Sequence, residues 1–85
     1  MTRRARRLSR SVEDYLKAIY GLTEQGEAAS TSQLAEALDV QPASVSGMIK
    51  RLAENGLVEH VPYRGVRLTD DGAREALRIV RRHRV

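Results

Sequence analysis

Residues 33–46 of this chain have the sequence QLAEALDVQPASVS, which carries the signals for two helices separated by a turn. The apolar residues as far as Leu38 follow the period of a helix with one buried face. Residues 39–41 break that period. Pro42 follows at a position where helices tolerate proline, because the first turn leaves backbone N–H groups unpaired in any case. We therefore predict a short helix, a tight turn and a second helix that begins at Pro42.

The second helix combines an apolar stripe with an opposite face of small polar and basic residues. Its apolar residues are spaced i, i+3, i+4 and i+7: Val45, Met48, Ile49 and Leu52. Asn55 and Gly56 supply a left-handed stop at its end. Small side chains at the start of a helix let its backbone approach the base edges in the major groove of DNA. The pattern predicts a helix-turn-helix that binds DNA.

The residues expected to contact DNA lie mainly at the start and on the outer face of this second helix. They are Gln41, Pro42, Ala43, Ser44, Ser46, Gly47, Lys50, Arg51 and Arg64. Serine hydroxyls bond to phosphates or to several bases, so they specify sequence weakly. We expect base reading from Gln41, from Lys50 and from thymine methyl contacts of residues 42 and 43. Arg51 and Arg64 are expected to add affinity. A solvated helix face without a ligand is the alternative interpretation.

One further helix is predicted before the helix-turn-helix. Ser11 and Asp14 have the spacing of a capping box, and a helical period extends over residues 12–24. The helix that contains Leu38 is expected to be capped by Thr31 or Ser32, after a polar loop.

A small hairpin and a last helix follow the second helix of the motif. Residues 57–61 and 66–69 are strand-like, and Gly65 supplies a positive φ in the turn between them. So small a hairpin must pack against helices to be stable. Thr69 is expected to cap the last helix, which has Gly72 in its first turn. The apolar positions of that helix are Ala73, Ala76, Leu77 and Val80. We predict a mainly α fold with a small β-wing: a winged helix-turn-helix of three helices, a two-stranded wing and a following helix.

The composition is typical of one small domain with an aliphatic core. The chain has 85 residues, no Phe, Trp or Cys and three Tyr, which excludes disulfides and thiolate metal sites. Its apolar runs are shorter than the roughly 18 residues that a membrane span needs. The basic N-terminus is not followed by the apolar segment of a secretion signal. We expect a cytoplasmic protein that does not bind membranes.

The net charge of +4 is concentrated at the two ends of the chain. Residues 1–10 hold five Arg and residues 78–85 hold four, and neither segment contains an acid. The middle of the chain is therefore acidic. Basic blocks of this kind commonly bind polyanions, and a solvated tail that aids solubility is the alternative.

The segment SVEDYLKAIY, which begins at Ser11, resembles the first helix of the metal-dependent repressors typified by the diphtheria toxin repressor and the manganese transport regulator. The likeness covers residues 11–85. It continues through residues 34–38, 44–46, 55–58, 63–65, 68–69 and 81–84. The opening EDYL and the closing RHR are its most specific parts.

This resemblance implies a manganese- or iron-responsive repressor of metal-homeostasis genes. Such repressors bind a pseudo-palindromic DNA operator as a homodimer when a divalent transition metal is bound. By the same resemblance, Asp14 matches a metal ligand of the first helix and His83 matches a histidine ligand. The iron-responsive branch has Met at the position of Asp14, so a hard oxygen ligand favours Mn²⁺ over Fe²⁺. Lys17 stands where the manganese branch often has Glu, which argues against a second metal site.

The resemblance also implies a division of the chain into three parts. Residues 1–10 form a basic arm, and residues 11–72 form the winged helix-turn-helix. Residues 73–85 begin a helix that links to a dimerisation and metal-binding domain, which this chain lacks. Because no cap closes that helix before Val85, we expect the natural protein to continue.

Other functions have weaker signals in the sequence. The chain offers no nucleophile paired with a histidine and no glycine-rich phosphate loop, so we do not expect an enzyme. A metal-independent winged-helix regulator stays open, as does a winged helix that binds another protein. The polar outer face of the second helix favours DNA, because protein docking usually needs an exposed apolar patch. Without the resemblance, Asp14 would be a helix-capping carboxylate and His83 an exposed imidazole.

Overall fold

A computed structural model describes residues 9–82, which form four helices and one two-stranded antiparallel sheet. The elements are α1 (Arg10–Leu22), α2 (Thr31–Leu38), α3 (Pro42–Glu54), β1 (Val58–Val61), β2 (Gly65–Leu68) and α4 (Asp70–Arg82). This order confirms the predicted winged helix-turn-helix. Most of the predicted basic arm and the candidate ligand His83 lie outside the described residues.

Helix α1 begins two residues earlier than the sequence predicts. Its N-cap is Ser9, whose Oγ accepts a hydrogen bond from the Val12 N–H at 3.2 Å. The predicted capping box at Ser11 is therefore wrong, because Ser11 lies inside the helix. The earlier start adds a backbone bond from the Glu13 N–H to the Ser9 carbonyl at 3.0 Å, which a start at Ser11 would forfeit.

Helix α2 also takes an earlier serine as its cap. The Ser30 Oγ accepts from the Gln33 N–H at 3.1 Å, and the Gln33 Oε1 accepts from the Ser30 N–H at 2.9 Å. The predicted caps Thr31 and Ser32 are therefore wrong. Only Ser30 is followed, three residues later, by a side chain that can complete this reciprocal pair of hydrogen bonds, that of Gln33.

One aliphatic core joins the helices to the wing. Its fully buried large side chains are Leu16, Ile19, Leu34, Val45, Leu52 and Ile79. Tyr15 is buried beside them, and burial raises the pKa of its hydroxyl. On α4 the buried residues are Gly72, Ala76 and Ile79, whereas Leu77 and Val80 are only half-buried. The stripe predicted from spacing is thus rotated, because contacts with α1 and β2 set the orientation of α4.

The wing is attached to the loop before α2 by a short bridge that the sequence does not indicate. Ala29 and Val66 exchange backbone hydrogen bonds of 2.8 and 2.9 Å. At Gly65 the φ is +134°, as the predicted turn requires, and a Cβ there would overlap the carbonyl oxygen of Ala29. Glycine is needed at this position for its conformation and for the close approach of the two backbones.

Thr69 connects the wing to α4, as predicted. Its Oγ1 accepts from the Gly72 N–H at 3.0 Å and donates to the Gly56 carbonyl at 2.6 Å. The cap therefore also ties α4 to the end of α3. Among the described residues, no helix combines the length and the apolar character needed to cross a membrane.

Candidate nucleic-acid interface

The turn between α2 and α3 depends on a left-handed residue, Asp39. Its φ of 57° and ψ of 50° end α2 sharply, and its N–H bonds to the carbonyls of Ala35 and Glu36. Aspartate is one of the few non-glycine residues that tolerate this conformation. The Val40 N–H then bonds back to the Ala35 carbonyl at 3.0 Å. α3 begins three residues after Asp39, which confirms the predicted helix-turn-helix geometry.

The outer face of α3 is solvent-exposed along its length. All eight candidate residues in this region are exposed: Gln41, Pro42, Ala43, Ser44, Ser46, Gly47, Lys50 and Arg51. The Gln41 side chain makes no capping hydrogen bond, so its amide remains available to a ligand. Val45, Ile49 and Leu52 hold the opposite face in the core. The exposed side chains are small, polar or basic, which suits a DNA groove lined by hydrogen-bonding base edges and bordered by phosphates.

The wing ends in a tight turn that presents two side chains. The Arg64 N–H bonds to the Val61 carbonyl at 3.0 Å, with Pro62 and Tyr63 as the central residues of the turn. Arg64 is exposed, as its candidate role requires. Tyr63 is fully exposed and has a φ of +67°. Sequence reasoning missed Tyr63, although an aromatic residue directly before Arg64-Gly65 in a turn is an unusual choice.

The wing and the outer part of α3 belong to the same side of the molecule. A groove of about 510 Å³ lies between them. Ser46 and Lys50 line it from α3, and His60 and Gly65 line it from the wing. One elongated ligand can therefore contact both elements. Arg64 directly precedes the lining residue Gly65 in the sequence.

The described part of the chain is close to electrically neutral. Residues 9–82 contain ten Lys and Arg against eleven Asp and Glu. Several of the arginines are paired with acids: Arg67 with Glu59 at 2.7 Å, Arg74 with Asp71 at 3.0 Å, Arg78 with Glu75 at 4.0 Å and Arg82 with Glu13 at 3.1 Å. Within the described residues, Lys50, Arg51 and Arg64 take part in no ion pair. The cations of the candidate surface thus remain available to phosphates.

Asp14, the candidate metal ligand within the described residues, belongs to a different end of the fold, where α1 begins and α4 ends. Arg82 Nη2 lies 3.1 Å from Glu13 Oε2, which links two residues that are 69 positions apart. Asp14 follows Glu13 and is half-buried, and His83 follows Arg82 just outside the described residues. Asp14 has no capping role, because Ser9 caps α1. This observation removes the simplest structural explanation for its carboxylate.

The described residues do not by themselves make a complete metal site. Among residues 9–82, no group of three or more His, Cys, Asp or Glu side chains is arranged to hold a metal ion. A carboxylate and an imidazole are a donor pair that suits Mn²⁺ and Fe²⁺, but such ions take more ligands than two. Asp14 and His83 therefore stay candidates for two members of a larger set.

Comparison with known proteins agrees with the winged helix-turn-helix fold. Residues 7–66 match the family model of the iron dependent repressor, N-terminal DNA binding domain. The chain is 38% identical over 78 residues to an uncharacterised HTH-type transcriptional regulator of Methanocaldococcus jannaschii, covering 91% of this chain and 62% of that protein. It is 42% identical over 73 residues to the HTH-type transcriptional regulator MntR of Oceanobacillus iheyensis, covering 86% of this chain and 50% of that protein.

A solved structure extends the likeness from sequence to fold. The crystal structure of IdeR from T. acidophilum superposes with a TM-score of 0.82 at 34% identity, covering 93% of this chain and 36% of that one. The chain therefore spans between about a third and two thirds of the length of these similar proteins.

Proposed function

We propose, since the chain belongs to the iron dependent repressor family, that it is the DNA-binding part of a sequence-specific transcriptional repressor. The observation that carries the proposal is the exposed face of α3, which lies on the same side as the wing and whose cations form no ion pair within residues 9–82. α3 would enter the major groove, and Arg64 would contact the backbone or the neighbouring minor groove. A regulator of this kind acts on DNA in the cytoplasm and needs no catalytic group.

Control by a divalent transition metal, with Mn²⁺ favoured over Fe²⁺, is the second part of the proposal. The Asp14 carboxylate and the His83 imidazole would hold the cation together with ligands from the part of its relatives that this chain does not cover. Their sequence neighbours Glu13 and Arg82 are in contact, which supports a close approach of the two ends. Holding these ends together would orient α3 in one subunit relative to its partner in a homodimer. The spacing of the two recognition helices would then match the half-sites of a pseudo-palindromic operator.

DNA binding by this chain can be tested directly by fluorescence anisotropy. A labelled mixed-sequence duplex is titrated with the 85-residue chain from 20 to 200 mM salt, with and without Mn²⁺. If five or six phosphates are neutralised, log K is expected to fall with log salt at a slope of about −5. Because this chain holds only part of the ligand set, Mn²⁺ is expected to leave binding unchanged. Absence of binding at 20 mM salt would contradict the proposal and favour a winged helix that binds protein.

The role of Asp14 can be tested in a protein that has the full length of its relatives. Asp14→Ala is expected to weaken Mn²⁺-dependent operator binding by at least about tenfold, since loss of a ligand lowers metal affinity. Its thermal stability without metal should be unchanged, because Asp14 does not cap α1. Glu24→Ala, which removes an exposed acid beyond the end of α1, is the matched control. A full metal response in Asp14→Ala would show that this residue is not a ligand. Operator binding by the wild type that is equally tight without any metal would identify a metal-independent regulator.

A further inference from the structure

The side chain of Tyr63 makes no contribution to the folded core. The chain contains three aromatic residues, and the other two, Tyr15 and Tyr20, are buried in or packed against the core. Tyr63 has 107% of the reference exposure of a tyrosine, so its ring packs against none of the described residues. An aromatic ring held entirely in water gains nothing from hydrophobic burial within the monomer.

The backbone of Tyr63 is also strained. It occupies the third position of the turn that Arg64 closes onto Val61, with a φ of +67°. Pro62 is favourable at the second position of such a turn, but a positive φ at the third position favours glycine or asparagine. A tyrosine there brings steric strain without compensating side-chain contacts to residues 9–82. Strained backbone of this kind clusters at functional sites, including those that hold ligands.

The strand that begins directly after the wing tip shares a groove with α3, so a duplex bound to α3 is expected to pass close to the tip. The groove between α3 and the wing joins Lys50 on the helix to Gly65 at the start of β2, two residues beyond Tyr63. Arg64 is exposed beside Tyr63 and supplies a charge for a phosphate. A tyrosine combines a flat apolar ring with a hydroxyl, which matches the alternation of sugars and phosphates along a DNA strand.

We propose that Tyr63 is a DNA-contacting residue whose ring packs against the deoxyribose sugars of the strand beside the minor groove. The proposal rests on the proposed function, because it needs a duplex bound to α3. It assigns different tasks to the two neighbours at the tip. Arg64 neutralises a phosphate, and the uncharged ring of Tyr63 adds a packing contact. The two contributions therefore respond differently to salt.

The test is the salt dependence of duplex binding by matched variants of the 85-residue chain. Tyr63→Ala is expected to weaken binding about tenfold at every salt concentration and to leave the slope of log K against log salt unchanged. Arg64→Gln is expected to make that slope shallower by about 0.9, because one phosphate contact is lost. Tyr63→Phe is expected to retain most of the affinity, since the ring is kept.

Several results would overturn the proposal. Binding by Tyr63→Ala within twofold of the wild type would remove Tyr63 from the interface, while duplex binding by the wild type would keep the proposed function intact. A slope changed as in Arg64→Gln, or a Tyr63→Phe variant as weak as Tyr63→Ala, would exclude packing of the ring on sugars. Failure of the wild-type chain to bind any duplex would overturn both proposals, and it would be seen before any variant is made.

A stability measurement separates a DNA contact from a role in folding or in contact between protein copies. Tyr63→Asn is expected to raise the Tm by about 4 °C, since asparagine tolerates the positive φ, and to lose the same affinity as Tyr63→Ala. A Tm that falls together with affinity would assign the ring to the fold and overturn the proposal. So would a wild-type dimer, measured by sedimentation without DNA, that Tyr63→Ala converts to a monomer.

Discussion

Replacing Gly72 with alanine is expected to lower the free energy of unfolding by on the order of 3 kcal/mol or more. Gly72 is buried in the first turn of α4, and a Cβ at this position would overlap the carbonyl oxygen of Leu57. The Leu57 carbonyl cannot simply move away, because it accepts the Thr69 N–H at 3.0 Å. The neighbouring Thr69 hydroxyl bonds to both Gly56 and Gly72. A shift would disturb the whole junction between the end of α3, the wing and α4.

The measurements are urea unfolding and thermal unfolding, both followed by circular dichroism, with Gly47→Ala as the matched control. Gly47 lies in the middle of α3 with open space where a Cβ would be, so its replacement should stabilise the chain by about 0.5–1 kcal/mol. For Gly72→Ala we expect the Tm to fall by about 12–24 °C, which corresponds to the loss in stability for a domain of this size. If the two variants were equally stable, the backbone of Leu57 would be freer to move than its hydrogen bond indicates.

Replacing the arm arginines Arg3, Arg4, Arg6 and Arg7 with glutamine is expected to produce the largest loss of DNA affinity. Residues 9–82 hold slightly more acids than bases, so the net charge of +4 is contributed by the ends of the chain. If each of the four arginines neutralises one phosphate, their loss should reduce the slope of log K against log salt from about −5 to about −1.5. At 100 mM salt this corresponds to a roughly thousandfold weaker complex.

The control for the arm variant removes basic residues that are already paired. Arg74→Gln with Arg78→Gln takes two cations from α4, where each lies beside an acid. This variant should keep nearly the full slope, since these arginines are occupied and lie on a helix that packs against α1 and β2. An arm variant with an unchanged slope would show that the arginines serve solubility. The affinity would then come from Lys50, Arg51 and Arg64.

The candidate DNA surface was largely predictable from the sequence, because its residues are close together in the chain. Spacing along α3 separates Val45 and Ile49 from Ser46 and Lys50, and the structure places these pairs inside and outside as expected. Tyr63 was missed for a physical reason. Its exposure and its positive φ follow from how the turn is closed and from what packs nearby, and neither is encoded in the local pattern. The assignment of Asp14 and His83 to one metal site stays a prediction.

The sequence by itself determined the order of the elements, the turn before Pro42, the wing and the aliphatic core. These features depend on local periodicity and on residues with strong conformational preferences, which act over a few positions. Only the tertiary structure decided which of two serines caps α1, which face of α4 is buried and how Ala29 joins the wing. It also decided that Gly65 and Gly72 have no room for a side chain. Each of these outcomes depends on contacts between segments far apart in the chain, where packing and shared hydrogen bonds select among options that are locally equivalent.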